Sequence, residues 1–320
     1  MGRVLAVAGR RSAQLVVGFA LDRVFADPRR RHPVALFGRI AAAVERRLWA
    51  PSRRRGALAA ALPVAGAALA AAALERAART AAARVLAGGA TVWVCLGGRS
   101  LLREAEVIER ALAAGDLAAA RARLPALCGR DAESLDTSGL ARAVIESLAE
   151  NANDAALSTA VWTLLAGPSG AVVHRAVNTL DAMWGHRNAR FQRFGWAAAR
   201  LDDALGLVGA RVGVLLVAVQ ARRFGSTPAS VLRGVRRDGH RHPSPNAGPL
   251  KAAFAWTLGV RLGGPVSYFG TLTPRPWIGD GRDPTVADIA RARELAASLC
   301  CPPAARRRRR LGQPLSQGAR

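Results

Sequence analysis

Residues 56–74 read GALAAALPVAGAALAAAAL. No charge interrupts the run. Arg53, Arg54 and Arg55 fence one end, and Glu75, Arg76 and Arg79 the other. A helix that crosses a bilayer needs roughly 20 mostly apolar residues, and this stretch supplies them. Alanine is only weakly hydrophobic, so a packed core helix is the competing reading. The run VLAGGATVWVCLGG, residues 85–98, follows at once and suggests a helical hairpin. Working outward, apolar segments recur near 12–26, 56–74, 82–98, 155–173 and 204–219. The expected fold class is mainly α: a polytopic integral membrane helical protein with about four or five membrane segments. The first segment contains AQLVVGFAL and Asp22, and no small-residue cleavage site follows it. It reads as a membrane segment rather than a cleaved signal peptide. Arginines flank several segments on both sides, which leaves the topology open.

Hydrophobic residues make up 51% of the 320 and the formal charge is +25. Nearly every basic residue is arginine, spread through Ala-rich sequence, and Lys251 is the only lysine. Without zinc-finger spacing or an RNP-like aromatic motif, a nucleic-acid partner is not expected. Anionic lipid head groups and phosphorylated or carboxylated substrates suit so much arginine better. Cys95, Cys128, Cys300 and Cys301 form no CxxC pair and read as reduced, as in a cytoplasm-facing protein. Between the apolar segments, positions 101, 102, 105, 108, 111 and 112 follow a helical period that breaks at Gly115-Asp116. DTSGLARAVIESLAEN reads as another helix. Past 220, Gly and Pro punctuate the chain too densely for long elements, and no strand pattern is clear. The expected organisation is a membrane domain over 1–284, a C-terminal helix over 285–304 and a basic, disordered tail over 305–320.

Polar chemistry gathers where apolar runs begin. Arg142, Glu146, Glu150 and Asp154 are spaced four apart, with Asn151 and Asn153 beside them. A solvated salt-bridge stripe is the bland reading. It fits poorly against an apolar run, because carboxylates at a membrane boundary usually bind something. Carboxylates and amides are ligands that Mg²⁺ accepts alongside substrate phosphates. In HRAVNTLDAMWGHR, His174, Asn178 and Asp181 share a helical face near Arg175 and Arg187, and FGWAAARLDD brings Arg200, Asp202 and Asp203. The three clusters could converge on one interfacial pocket. The histidines lack HxxxH spacing and there is no GxxxxGK[ST] loop. ADPRRRHPVALFGR and RHPSPNAGP read as interfacial turns or as anion-binding loops. Arg211 interrupts the 204–219 run. Asp203 stands eight residues earlier and points about 80° away on a straight helix, so a bound anion is the expected partner of Arg211.

The order of motifs is more specific than any one of them. DPRRRHPVALFGRI, GGRSLLREA, GRDAESLD, RAVIESLAENANDA, HRAVNTLDAMWGHR, FGWAAARLDD, HPSPNAGP, LGVRLGGPVSYFG and PWIGDG run in sequence over about residues 20–281. In this the chain resembles the CobD/CbiB family of cobalamin biosynthesis, the adenosylcobinamide-phosphate synthases. The resemblance implies a multi-pass enzyme of the bacterial inner membrane whose site faces the cytoplasm. Such an enzyme joins adenosylcobyric acid to (R)-1-amino-2-propanol or its O-phosphate, using ATP and Mg²⁺. Activation of the carboxylate, for instance as an acyl phosphate, requires Mg²⁺ and cationic residues. Catalytic roles are implied for Glu146, Glu150, Asn151, Asp154, Asn178 and Asp181. Metal binding is implied for Glu150, Asp154, Asp181, Asp202 and Asp203. Substrate or ATP contacts are implied for Asp27, His32, Arg99, Arg130, Arg175, Arg200, Arg211, Ser244 and Asn246. Membrane lipids and other cobalamin-pathway membrane enzymes are the remaining implied partners. The chain departs from the family pattern at Ala155 (usually Gly), Thr159 (Pro), Gly206 (Asn) and Gly209 (Pro), and it lacks the usual apolar closing segment. A non-catalytic scaffold or sensor with the same fold is the alternative. Such relatives lose the NTLD and SPNAG motifs, which this chain keeps.

Overall fold

Ser52, Thr80, Asp116, Asp136 and Thr227 each head a helix, and each side-chain oxygen accepts the backbone N–H three residues on. These caps satisfy donors that a helix start leaves open, and they set the element boundaries. The computed structural model describes residues 2–27, 32–186, 188–268 and 270–300. The expected tail over 305–320, Cys301 and Arg187 lie outside the described residues.

The order is α1 (Gly2–Phe25), α2 (Pro33–Leu48), α3 (Arg53–Ala77), α4 (Ala81–Cys95), α5 (Gly98–Ala113), α6 (Leu117–Arg123) and α7 (Thr137–Ala152). A wide π turn, Asn153–Leu157, joins α7 to α8 (Ser158–Trp184). Then come α9 (Phe191–Phe194), α10 (Trp196–Gln220), α11 (Pro228–Asp238), α12 (Ala247–Leu258) and α13 (Val286–Cys300). Between α12 and α13 lie two small antiparallel pairs, β1 (Leu262–Gly263) with β4 (Trp277–Ile278) and β2 (Val266–Tyr268) with β3 (Thr271–Thr273).

Among the described residues, five helical stretches are long and apolar enough, by length and composition, to cross a membrane: Val4–Phe25, Arg53–Ala77, Ala81–Ala113, Thr137–Trp184 and Trp196–Phe224. The chain is a mainly α, polytopic membrane protein. Leucines and valines stay exposed on these helices, among them Leu58, Leu62 and Leu69 on α3 and Val208, Val212, Leu215 and Val219 on α10. A surface of that kind matches lipid rather than water. The expected span over 82–98 ends at Cys95. The chain breaks at Leu96-Gly97, where the Gly97 N–H donates to the Ala155 carbonyl at 3.2 Å, and turns into α5.

The expected span over 155–173 is corrected. Its middle is a reversal, not a straight helix. Gly167 has φ 74° and ψ −170°, and Pro168 follows it. Asn178 lies 3.3 Å from Asp154 although 24 residues separate them. A straight helix would hold them about 36 Å apart. So α8 has two arms, one climbing from the π turn to Ala166 and one returning from Pro168 to Trp184. The first arm ends with open carbonyls, and Arg11 of α1 donates to two of them, Leu164 O at 3.0 Å and Leu165 O at 2.7 Å.

Two cores hold the arms. A large one joins α5, α7, α12, α13 and the end of α10 through Ile108, Leu148, Phe254, Leu295 and Val217. A smaller one packs Trp184 and Leu180 of the returning arm against Ala59, Ala60, Ala41 and Phe194. The region past 220, expected to lack long elements, contains α11 and α12. Ten of the twelve residues of α12 are buried, because it runs through the large core rather than over the surface.

Gly167 occupies a backbone region that essentially only glycine adopts. Gly167→Ala is expected to cost roughly 1–3 kcal/mol. The loss should appear as a lower melting temperature of the detergent-solubilised protein, with Ala166→Gly as the control that leaves the reversal unstrained.

Candidate active site

The π turn is the centre of the site. Adding a residue to one turn swings Asn153 and Asp154 inward, and such bulges often mark functional positions. Asn153 Nδ2 donates to Asp154 Oδ1 at 3.1 Å, and its Oδ1 accepts from Ser158 Oγ at 3.1 Å. The returning arm presents Asn178, whose Nδ2 donates to Asp154 Oδ2 at 3.3 Å and to Asp202 Oδ1 at 3.2 Å. One neutral amide thus holds two carboxylates together. The ion pairs of the region are Arg130–Glu146, Lys251–Glu146, Lys251–Glu150 and Arg200–Asp203. Among the described residues none reaches Asp154, Asp181 or Asp202. Carboxylates crowded in a low-dielectric interior repel one another and favour a cation between them.

One turn back along α7 the sign reverses. Lys251 of α12 is 5% exposed, and its Nζ lies 2.7 Å from Glu150 and 3.7 Å from Glu146. Glu146 also takes Arg130 at 3.1 Å and the Gly263 N–H at 3.0 Å. Burial alone would lower the Lys251 pKa, but the Glu150 and Glu146 carboxylates outweigh it and hold the ammonium above its ordinary value. His242 stands against Lys251. Burial, with the Lys251 ammonium adding to it, pushes the imidazole down to about 4, so it is neutral at pH 7.

The SPNAG loop closes the cleft. Ser244 Oγ accepts the N–H groups of Asn246 and Ala247, at 3.3 and 3.2 Å, and so starts α12. Asn246 Nδ2 donates to the Asp203 carbonyl at 2.8 Å. A Cβ at Gly206 would stand 2.4 Å from Asn246 Nδ2, and one at Gly209 would stand 2.3 Å from Ser158 Oγ. The two departures from the family pattern therefore have a physical reading. Asn246 already fills the space an asparagine at 206 would take, and bare backbone at 209 lets α10 lie against the π turn.

A second polar group lies across Ala155. Asp27 faces His32 Nε2 at 3.7 Å, and its N–H donates to Ser100 Oγ at 3.3 Å. Burial would raise the Asp27 pKa, but His32, Ser100 and the nearby Arg175 hold it below the usual range. His32 also caps α2 through Nδ1. Arg175 borders a cavity of about 640 Å³ between α2, α3, α4 and the returning arm, otherwise lined by residues such as Phe37, Ile40, Leu62 and Val94.

Of the residues predicted to act together, Glu146, Glu150, Asp154, Asn178, Asp181, Asp202 and Asp203 lie in one polar cluster, with Arg130, Ser244 and Asn246 beside them. Several residues make contacts that the sequence did not name. Asn151 sits on another face of α7, where its Nδ2 donates to the Leu127 carbonyl at 3.5 Å. Arg142 stacks on Trp277, 4.8 Å from the ring centre, instead of continuing the charged stripe. Arg99 contributes its backbone N–H, donated to Asp22 at 3.1 Å, while its side chain is exposed. Arg200 is exposed and only 3.9 Å from Asp203. Arg211 donates from Nη1 to the Pro245 carbonyl at 2.6 Å. Glu150 is engaged by the Lys251 ammonium. Sequence reasoning missed Lys251, His242, Ser158 and the role of Asn153. The isolation of Lys251 as the sole lysine was the available signal.

Among the described residues no three His, Cys, Asp or Glu side chains converge closely enough to hold a metal ion by themselves. The paired oxygens of Asp154 and Asp202, with Asp181 and Asp203 beside them, fit Mg²⁺ as partial ligands. Mg²⁺ commonly draws the rest of its shell from phosphate and water.

Fold and cleft together define a class: a multi-pass helical membrane protein with a two-signed charged cleft inside its bundle. A family profile described as CobD/Cbib protein matches residues 15–296. The chain is 47% identical over 287 residues to the Cobalamin biosynthesis protein CobD of Mycobacterium tuberculosis, covering 88% of this chain and 90% of the relative. It is 43% identical over 290 residues to the protein of that name in Chromobacterium violaceum (88% and 90%) and 36% identical over 296 residues to that in Rhodobacter capsulatus (89% and 92%). The chain belongs to the CobD/CbiB family. No solved structure matches it.

Two outcomes are expected. Lys251→Met leaves Glu150 and Glu146 short of a buried partner and should cost on the order of 3–5 kcal/mol, most of it recovered in Lys251→Met/Glu150→Gln. Thermal melts of the four proteins of that double-mutant cycle measure it. His242 has a folded pKa near 4 against an ordinary 6.5. Its contribution is intact above pH 6.5 and is lost as pH falls toward 4, by up to about 3 kcal/mol. His242→Gln should flatten that part of the stability–pH curve.

Proposed function

We propose that this protein forms the amide bond between adenosylcobyric acid and (R)-1-amino-2-propanol or its O-phosphate, with ATP and Mg²⁺, in cobalamin biosynthesis. Membership of the family, and the shared name of its relatives, support the pathway. The observation that carries the chemistry is the Asn178 amide holding Asp154 and Asp202 side by side, one turn from the Lys251–Glu150 pair. An amide ligase needs such a two-signed cleft. Its cationic end suits carboxylate and phosphate oxygens, and its acidic end suits Mg²⁺ and an incoming ammonium.

In this reading Asp154, Asp181, Asp202 and Asp203 would hold Mg²⁺. When bound, Mg²⁺ would neutralise phosphate charge, and ATP would supply the phosphoryl group that makes a carboxylate oxygen of the corrinoid leave as phosphate. Arg130 and Lys251 keep the carboxylates of α7 charged and fixed. The amine arrives protonated, is drawn by the acidic end and gives up its proton to a carboxylate there before it attacks. Helix packing around the π turn limits the entry of water that would hydrolyse the activated acid. The apolar outer face supports an inner-membrane location, and the use of ATP would suit a site on the cytoplasmic side. Ile289 and Leu295 of α13 are fully buried in the large core, which supports α13 as part of the same unit as the helices before it.

The test is reconstitution in nanodiscs with adenosylcobyric acid, the amine or its phosphate, ATP and Mg²⁺, reading the amide product by mass spectrometry. Asp154→Asn and Asp202→Asn should insert normally and lose on the order of 100-fold or more in turnover. Wild-type protein that forms no amide with either amine, or forms it at full rate without ATP, would overturn the reading.

A further inference from the structure

His242 brings donors together. Its Nδ1 accepts the Ser244 backbone N–H at 3.1 Å, so the single proton of the neutral ring sits on Nε2. That nitrogen lies 3.4 Å from Lys251 Nζ and 3.2 Å from Arg275 Nη1. Nε2–H, an ammonium and a guanidinium then meet at one point. The other tautomer moves the conflict without removing it, because it sets an N–H against that of Ser244. A doubly protonated ring would add a third positive charge beside two cations. An anionic oxygen at the meeting point accepts from all three donors at once.

The local charge points the same way. Among the described residues, Arg130, Lys251 and Arg275 gather here beside the carboxylates of Glu146 and Glu150. Lys251 is nearly sealed from solvent, and its Nζ keeps a hydrogen for a further acceptor beyond Glu150 and Glu146.

We propose that His242, Lys251 and Arg275 form an anion-binding subsite that takes a phosphate or carboxylate oxygen of a substrate, at the end of the cleft opposite Asp154 and Asp202. It deepens the ligase reading and rests on it only for the identity of the ligand. Charge-assisted bonds in a buried setting are strong, and the guanidinium adds a planar fork suited to either oxyanion.

Inorganic pyrophosphate, titrated by calorimetry into the full-length protein in nanodiscs without Mg²⁺, probes the subsite. Wild-type protein should bind it. Arg275→Gln and His242→Gln should each weaken binding at least tenfold, and Arg275→Lys should weaken it less, with melting temperatures confirming that each variant folds. Absence of binding to wild type, or equal binding by wild type and both Gln variants, overturns the subsite. Displacement by a non-hydrolysable ATP analogue assigns it to nucleotide phosphate, and displacement by adenosylcobyric acid assigns it to carboxylate. Displacement by neither overturns its role as a substrate subsite. Pyrophosphate binding that depends on Arg275, in a protein that forms no amide, would instead remove the ligase reading and leave the subsite standing.

Discussion

Asn178 can bridge Asp154 and Asp202 because the chain turns back at Gly167. The reversal lays the returning arm of α8 beside the π turn, and the other clusters assemble on that pair. Asp202 comes from α10, held close by bare backbone at Gly206 and Gly209. Lys251 comes from α12, threaded through the large core beside α7. A straight helix in place of the reversal would put the two polar faces on opposite sides of the molecule.

Charge inside an apolar bundle is costly unless it is paired or liganded. The structure separates the two remedies. Around Glu146 and Glu150 the protein supplies its own cations and a backbone N–H. Around Asp154, Asp181 and Asp202 it supplies amides and no base within ion-pair distance among the described residues. The first group is built to stay as it is. The second is built to receive something.

The sequence disclosed the helices and the charged stripe readily, because both are written in local spacing. Glu146, Glu150 and Asp154 recur every fourth residue, and caps such as Asp136 stand directly before their helices. The apolar run through 155–173 concealed the reversal, since hydrophobicity continues unbroken across Gly167-Pro168 and only that dipeptide hints at a turn. Long-range partners were not legible. That Asp203 would not serve Arg211 followed from helix geometry, yet nothing local could name the Pro245 carbonyl. Lys251 was visible as a solitary lysine in Arg-rich sequence, but its contact with residues a hundred positions earlier depends on how α12 packs. The punctuated sequence past 220 hid α12 for the same reason.

Arg11 donates to carbonyls at the head of the reversal from 153 and 154 residues away in sequence. That contact sets an order of assembly. An isolated α8 hairpin entering a bilayer would carry those open carbonyls into hydrocarbon, at a cost of several kcal/mol for each unsatisfied group. With α1 already in place, the hairpin meets its cap as it arrives. α1 thus caps a turn formed much further along the chain, and the two arms that carry the polar faces are held from the tip of the reversal.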